Sequence, residues 1–140
     1  MASDLAGLAA LVTGSASGIG LATAEMFNEQ GVNVFGFDLN RGDLPDGIQW
    51  IKCDVTSANA VEAAFNEMET LSASLDIVVN CAGIGAIGSI ESATEEEWHK
   101  VYDTNVVGTA RISTRALPLL RKSSGCDCQH LFHSRHCWPP

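Results

Sequence analysis

Four short apolar runs, spaced by stretches of a different rhythm, constrain this chain more than anything else in it. Leu8 to Thr13, Val32 to Asp38, Ile48 to Cys53 and Leu75 to Asn80 are each brief enough to be a strand buried on both faces. After the first run, Ile19, Ala22, Met26 and Phe27 recur at helical spacing before Gly31. Between the third and fourth, Val61, Ala64, Phe65 and Met68 mark one face of a helix that Ser57 can cap. Beyond the fourth, Thr94 and Glu97 have the spacing of a capping box, and Trp98, Val101, Tyr102 and Asn105 share a helix face. That helix runs on past Ile112 and Ala116 towards Leu120, with Pro118 as a kink or stop. Strand and helix alternate throughout, which predicts an α/β fold with a parallel sheet, right-handed crossovers and helices on both faces. The segment from Asn40 to Gly47, with Gly42, Pro45 and Gly47, reads as a turn-rich connection rather than a domain boundary.

Composition narrows the function classes. A chain of 140 residues with 46% hydrophobic and 18% charged side chains makes one compact globular domain rather than two, or a disordered segment. Its net charge of −9 argues against a nucleic-acid or anionic-membrane partner, since either needs clustered Lys and Arg to displace counterions. No apolar run approaches the ~20 residues that span a bilayer, and the N-terminus lacks the basic-then-apolar pattern of a signal peptide. We therefore expect a cytoplasmic protein. Cys53 and Cys81 lie in strand-like segments, where a thiol behaves as a small buried hydrophobe.

The chemistry begins at the first turn. Gly14, Gly18 and Gly20, in the run TGSASGIG, fall between the first strand and first helix, where small residues let the backbone approach a pyrophosphate held at a helix N-terminus. About 20 residues on, Asp38 ends the second strand, where an acidic side chain accepts hydrogen bonds from adenosine ribose hydroxyls and repels a 2′-phosphate. Position alone equally allows Asp38 to open a turn with Asn40. Arg41 is near enough in sequence to pair with a phosphate, but Ser15, Ala16 and Ser17 put no basic residue inside the glycine motif, which favours NAD over NADP.

TGSASGIG, the acidic Asp38, the pair Asp54-Val55, NCAG at Asn80 to Gly83, and Asn105 come in the order of successive motifs of the short-chain dehydrogenases/reductases. The resemblance covers Leu8 to about Lys122. It implies a Rossmann-like, doubly wound parallel sheet and an oxidoreductase acting on an alcohol or carbonyl substrate. By it Gly14, Ser17, Gly18, Ile19 and Gly20 hold the pyrophosphate region, Asp38 the adenosine ribose, and Asp54 with Val55 the adenine. Asn80, Ala82 and Gly83 line the nucleotide beside the fourth strand. Cys81 departs from the commoner asparagine of NNAG, at a position expected to face the core. Asn105 matches the asparagine that helps hold a water in the family's proton relay; without the resemblance it reads as a hydrogen-bonded core residue. The family's subunit contacts imply a homo-oligomeric parent.

The family's catalytic tyrosine, lysine and serine find no match here. Tyr102 is the sole tyrosine, and four positions on, where lysine belongs, stands Val106; Tyr102 reads as a packing residue. General acid/base help is worth ~10²–10⁴ in rate, so the expectation is NAD binding with negligible dehydrogenase activity. A non-catalytic NAD-binding or interaction module is the alternative.

The tail GCDCQHLFHSRHCWPP brings together Cys126, Cys128, His130, His133, His136 and Cys137, a soft-ligand cluster that raises a third reading, a metal-binding protein. The ligand spacing fits no standard zinc pattern. Read one base later through the genetic code, the tail's codons admit V-I-V-N-I-S-S, which resembles the family's fifth strand with its catalytic serine. A frame lost between Leu120 and Gly125 explains both observations, and no metal site is expected. The expectation is then a Rossmann part over residues 1–122, incomplete at about four strands, an unstructured tail over 123–140, and Val78 and Val79 near an unpaired edge prone to aggregation.

Overall fold

The computed structural model describes residues 4–86, 88–123 and 126–129. Within them a parallel sheet takes the order β3-β2-β1-β4-β5, from β1 (Ala9–Thr13), β2 (Asn33–Asp38), β3 (Gln49–Lys52), β4 (Ile77–Asn80) and β5 (Cys126–Gln129). The helices are α1 (Gly18–Glu29), α2 (Ala58–Leu71), α3 (Glu95–Tyr102) and α4 (Thr109–Ser123), the last two joined by a π-helical segment, Asp103–Gly108. The chain winds outward from β1 in one direction to β3 and in the other to β4 and β5. This is the doubly wound, Rossmann-like arrangement, with its switch point between β1 and β4.

β1 is buried at every position, and its pleat divides the core. Ala9 and Leu11 join Phe35, Phe37 and Val78 on the side covered by α2 and α4; Ala10 and Val12 join Val34 and Ile48 on the side covered by α1. The α2 pattern holds in full: Val61, Ala64, Phe65 and Met68 are all buried, and Ser57 Oγ accepts from Ala60 N at 3.2 Å.

Four expectations are corrected. In α1 the buried residues are Gly20 and Ala24, flanked by the partly buried Leu21 and Phe27, while Ile19 and Met26 are exposed. Small residues let this helix approach the sheet closely, and a hydrophobicity pattern passes over them. β2 and β3 are joined by the expected turn-rich connection, residues 39–48, so the alternation of strand and helix does not run throughout; Leu44, 2% exposed, drops from that loop onto the sheet. Pro118 does not stop α4, which continues to Ser123. The lost hydrogen bond is outweighed by burial of Leu119 and Leu120, which directly follow the proline.

The fourth correction is the sheet's edge. β5 pairs along β4 from Ile77↔Cys126 to Asn80↔Gln129, so the sheet has five strands rather than about four, and Val78 and Val79 have a neighbour. A parallel ladder is made of backbone N–H and C=O groups and asks little of side-chain identity. Residues 130–140, with His130, His133, His136 and Cys137, lie outside the described residues. Among the described residues no His, Cys, Asp and Glu cluster could hold a metal, and no helix is long and apolar enough to cross a membrane.

Candidate functional site

A cleft of about 580 Å³ opens at the carboxyl ends of β1 to β4, at the switch point of the sheet. Its floor is the glycine turn. Gly14 N donates to Phe37 O at 2.9 Å, prolonging β1 by one residue before the chain bends. A Cβ on Gly20 would sit 2.0 Å from Gly14 O, and one on Gly14 would sit 2.7 Å from Ala82 N. Strand end, helix start and the turn after β4 therefore meet through bare backbone. Gly18 takes φ +55°, which turns the chain into α1. Ser17, Gly18 and Ile19 line the cleft, Ile19 with 71% of its surface exposed. The buried Thr13 secures the opposite wall, its Oγ1 accepting from Cys81 N and Ala82 N, each at 3.1 Å.

Asp38 lines the same cleft from the end of β2. One carboxylate oxygen accepts from Ala16 N at 3.0 Å, inside the glycine turn; the other accepts from Asn40 N at 3.2 Å. The side chain thus opens the local turn with Asn40, as one of the two sequence readings has it, and also reaches back to the glycine turn. Asp54, after β3, accepts from Thr56 through both hydroxyl and amide, at 2.7 and 2.9 Å. These bonds, hydroxyl before amide, hold its carboxyl below the usual range, and the Arg111 charge adds to them. Arg111 also donates to Val55 O at 3.1 Å and pairs with Asp103 at 3.0 Å, so α4 and the π-helical segment back the Asp54-Val55 wall.

Ala82 and Gly83 line the cleft beyond β4, whereas Asn80 lies in the core, its Nδ2 donating to Ser113 Oγ at 3.3 Å. Asn105, in the π-helical segment, is exposed and is not the core residue its helix face suggests. Its Oδ1 accepts from Ile84 N at 2.8 Å and its Nδ2 donates to Ile84 O at 2.9 Å. The amide thereby clamps the chain just beyond Gly83, much as a neighbouring strand would. Its own carbonyl accepts from Thr109 Oγ1 at 2.9 Å. Tyr102 is 60% exposed, so the packing role expected of it is not observed.

Cys81 is half-buried, packed towards α1 while also lining the cleft. Burial, then the neighbouring Asp54 charge, pushes the Cys53 thiol up to about 12, and burial raises that of Cys81; neither is an activated nucleophile. Sequence reasoning missed Lys100 and Thr104, which line the cleft from α3 and the π-helical segment. Their distance along the chain from the other wall hides them, although their i, i+4 spacing puts both on one helix face. A separate groove of about 480 Å³ between α2 and α4, lined by Val61, Ala110 and Pro118 among others, is away from the strand ends.

A glycine-turned, carboxylate-flanked cleft thus sits at the switch point of a doubly wound α/β sheet. The profile of the short chain dehydrogenase family matches residues 8–127, and this chain belongs to that family. It is 34% identical over 113 residues to a 3-ketodihydrosphingosine reductase of Bacteroides thetaiotaomicron, an alignment covering 81% of this chain and 42% of that protein. Against the 3-hydroxyacyl-CoA dehydrogenase type-2 of Bos taurus it is 34% identical over 119 residues, covering 76% and 46%. The ligand-free aldohexose dehydrogenase of Thermoplasma acidophilum superposes with a TM-score of 0.80 at 33% identity, over 86% of this chain and 47% of that one. The chain thus spans less than half the length of these relatives.

Proposed function

We propose that this chain binds NAD in the cleft and represents the nucleotide-binding part of an oxidoreductase for an alcohol or carbonyl substrate. The observation that carries the reading is the Asp38 carboxylate, hydrogen-bonded to the Ala16 amide and set in one cleft with the Gly14–Gly20 backbone contact. A cradle closed to a Cβ at Gly14 and Gly20 fits a pyrophosphate, which needs bare amides; Gly14, Ser17, Gly18, Ile19 and Gly20 would hold it. Asp38, already an acceptor, would take the adenosine ribose hydroxyls and disfavour a 2′-phosphate by charge. Asp54, held ionised, would accept from the adenine amino group beside Val55. Ala82 and Gly83 would flank the nucleotide, with Asn80 bracing β4 beneath it. Asn105 would fix the Ile84 backbone and, by the family resemblance, would help hold a water of the proton relay. The nicotinamide, when bound, supplies hydride acceptance or donation.

Titration with NADH and NADPH, followed by nicotinamide fluorescence, tests this. The chain should bind NADH the more tightly, and Asp38→Asn should weaken NADH about tenfold while narrowing the preference, as expected for loss of a charge-assisted hydrogen bond. Absence of NADH binding, or a preference for NADPH, sinks the proposal.

One observation favours a non-catalytic role for the polypeptide as it stands. Its single tyrosine, Tyr102, is followed four residues on by Val106, so no tyrosine–lysine pair of the family's spacing is present. We expect hydride transfer by the purified chain to fall at least ~10²-fold below that of an enzyme with such a pair. Robust NAD reduction with an alcohol would overturn that expectation.

A further inference from the structure

Phosphate binding in this chain faces an electrostatic problem. The net charge is −9, the run TGSASGIG contains no Lys or Arg, and two carboxylates, Asp38 and Asp54, stand on the cleft wall. A dinucleotide carries a dianionic pyrophosphate, and backbone amides alone offer it only partial charges. Among the described residues lining the cleft, the cationic side chain is Lys100.

Its surroundings leave it available. Arg41, Arg111 and Arg115 are each engaged by carboxylates, Arg41 with Asp46 at 2.9 Å, Arg111 with Asp103 at 3.0 Å and Arg115 with Glu62 at 2.9 Å. No ion pair among the described residues involves Lys100, and its side chain is exposed. Of its helix neighbours, Glu95 lies against His99 at 3.5 Å and Glu97 accepts from Gly88 N at 3.1 Å. Thr104, one turn on and in the same cleft, donates its hydroxyl to Lys100 O at 2.9 Å and so fastens the helical turn that carries the lysine.

We propose that Lys100 supplies the cationic countercharge for the phosphates of the bound dinucleotide, a task the glycine turn leaves undone. The inference rests on the NAD-binding reading above. A flexible ammonium suits the role, since it acts as a point charge and needs no fixed fork geometry. The contribution is electrostatic, so it must fade with salt over a Debye length that shrinks from ~30 Å at 0.01 M to ~8 Å at 0.15 M.

The test uses the full chain as wild type, Lys100→Gln and Lys100→Arg, titrated with NADH at low and at physiological salt and with adenosine, an uncharged probe, as a displacer. Lys100→Gln should weaken NADH about three- to tenfold at low salt, with the gap closing as salt rises. Lys100→Arg should keep wild-type affinity, and adenosine should bind all three alike. Unchanged NADH affinity in Lys100→Gln, or an equal loss of adenosine, overturns the inference while leaving the NAD reading intact. A wild-type chain that binds no NADH overturns both.

Discussion

Replacing Gly20 with alanine should raise the NADH dissociation constant about a hundredfold, the largest binding effect of any single methyl group in the protein. The added Cβ would lie 2.0 Å from Gly14 O, and both partners are backbone, so no side chain can rotate away. Helix α1 must then lift from the end of β1, and the amides of the turn lose their common focus. Overpacking of this kind also costs about 1–3 kcal/mol in stability. Gly85→Ala is the control, because its Cβ would meet open space. NADH fluorescence titration and urea unfolding read the two effects separately. Binding within threefold of wild type in Gly20→Ala would show that the cradle tolerates a displaced helix, contrary to the geometry.

The second large effect is on folding. Phe65 is fully buried, meets Phe37 edge-to-face at 5.4 Å and 85°, and carries the Arg115 guanidinium over its ring at 5.0 Å. Arg115 in turn pairs with Glu62 and Glu69 on α2, so one aromatic ring underlies both the sheet contact and the α2–α4 bridge. Phe65→Ala should cost about 3–5 kcal/mol. Against a total of about 5–15 kcal/mol typical of a single domain, that removes a fifth or more of the stability. Phe65→Leu keeps most of the volume and should cost roughly half as much or less. A denaturant midpoint for Phe65→Ala close to wild type would mean that α2 packs less firmly than its buried face implies.

How much of this was visible before the structure depended on whether the signal was local. α2 was readable because Val61, Ala64, Phe65 and Met68 state their shared face within about two turns of sequence, with Ser57 ahead of them. The glycine turn and Asp38 were readable because strand ends carry their own punctuation. α1 misled because its contact surface is made of absence: Gly20 and Ala24 press on the sheet while the showier Ile19 and Met26 face out. The β2–β3 connection was readable as turn-rich from Gly42, Pro45 and Gly47, but not that Leu44 would cover the sheet there. Of the kink or stop expected at Pro118, the stop is not made, because local propensity lost to burial of Leu119 and Leu120 directly after it.

The cleft itself was legible only along one edge. Its glycine and acidic residues follow fixed distances from strands, whereas Lys100 and Thr104 arrive by tertiary folding, after a connection whose path no local rule dictates. Asn105 was singled out by the family resemblance, but its partner, the backbone of Ile84, lies 21 residues away and left no trace in the helix pattern.

The π-helical stretch between α3 and α4 also acts as a phase shifter. An α-helix advances about 100° per residue, so one residue accommodated in a wider turn rotates everything downstream by that amount. Upstream, α3 buries none of its residues; downstream, α4 turns Ile112, Ser113, Ala116, Leu119 and Leu120 inward. Winding the same residues as a regular α-helix would swing that inward stripe about a quarter-turn off the sheet, so this irregularity sets the angular address of the five residues that α4 buries.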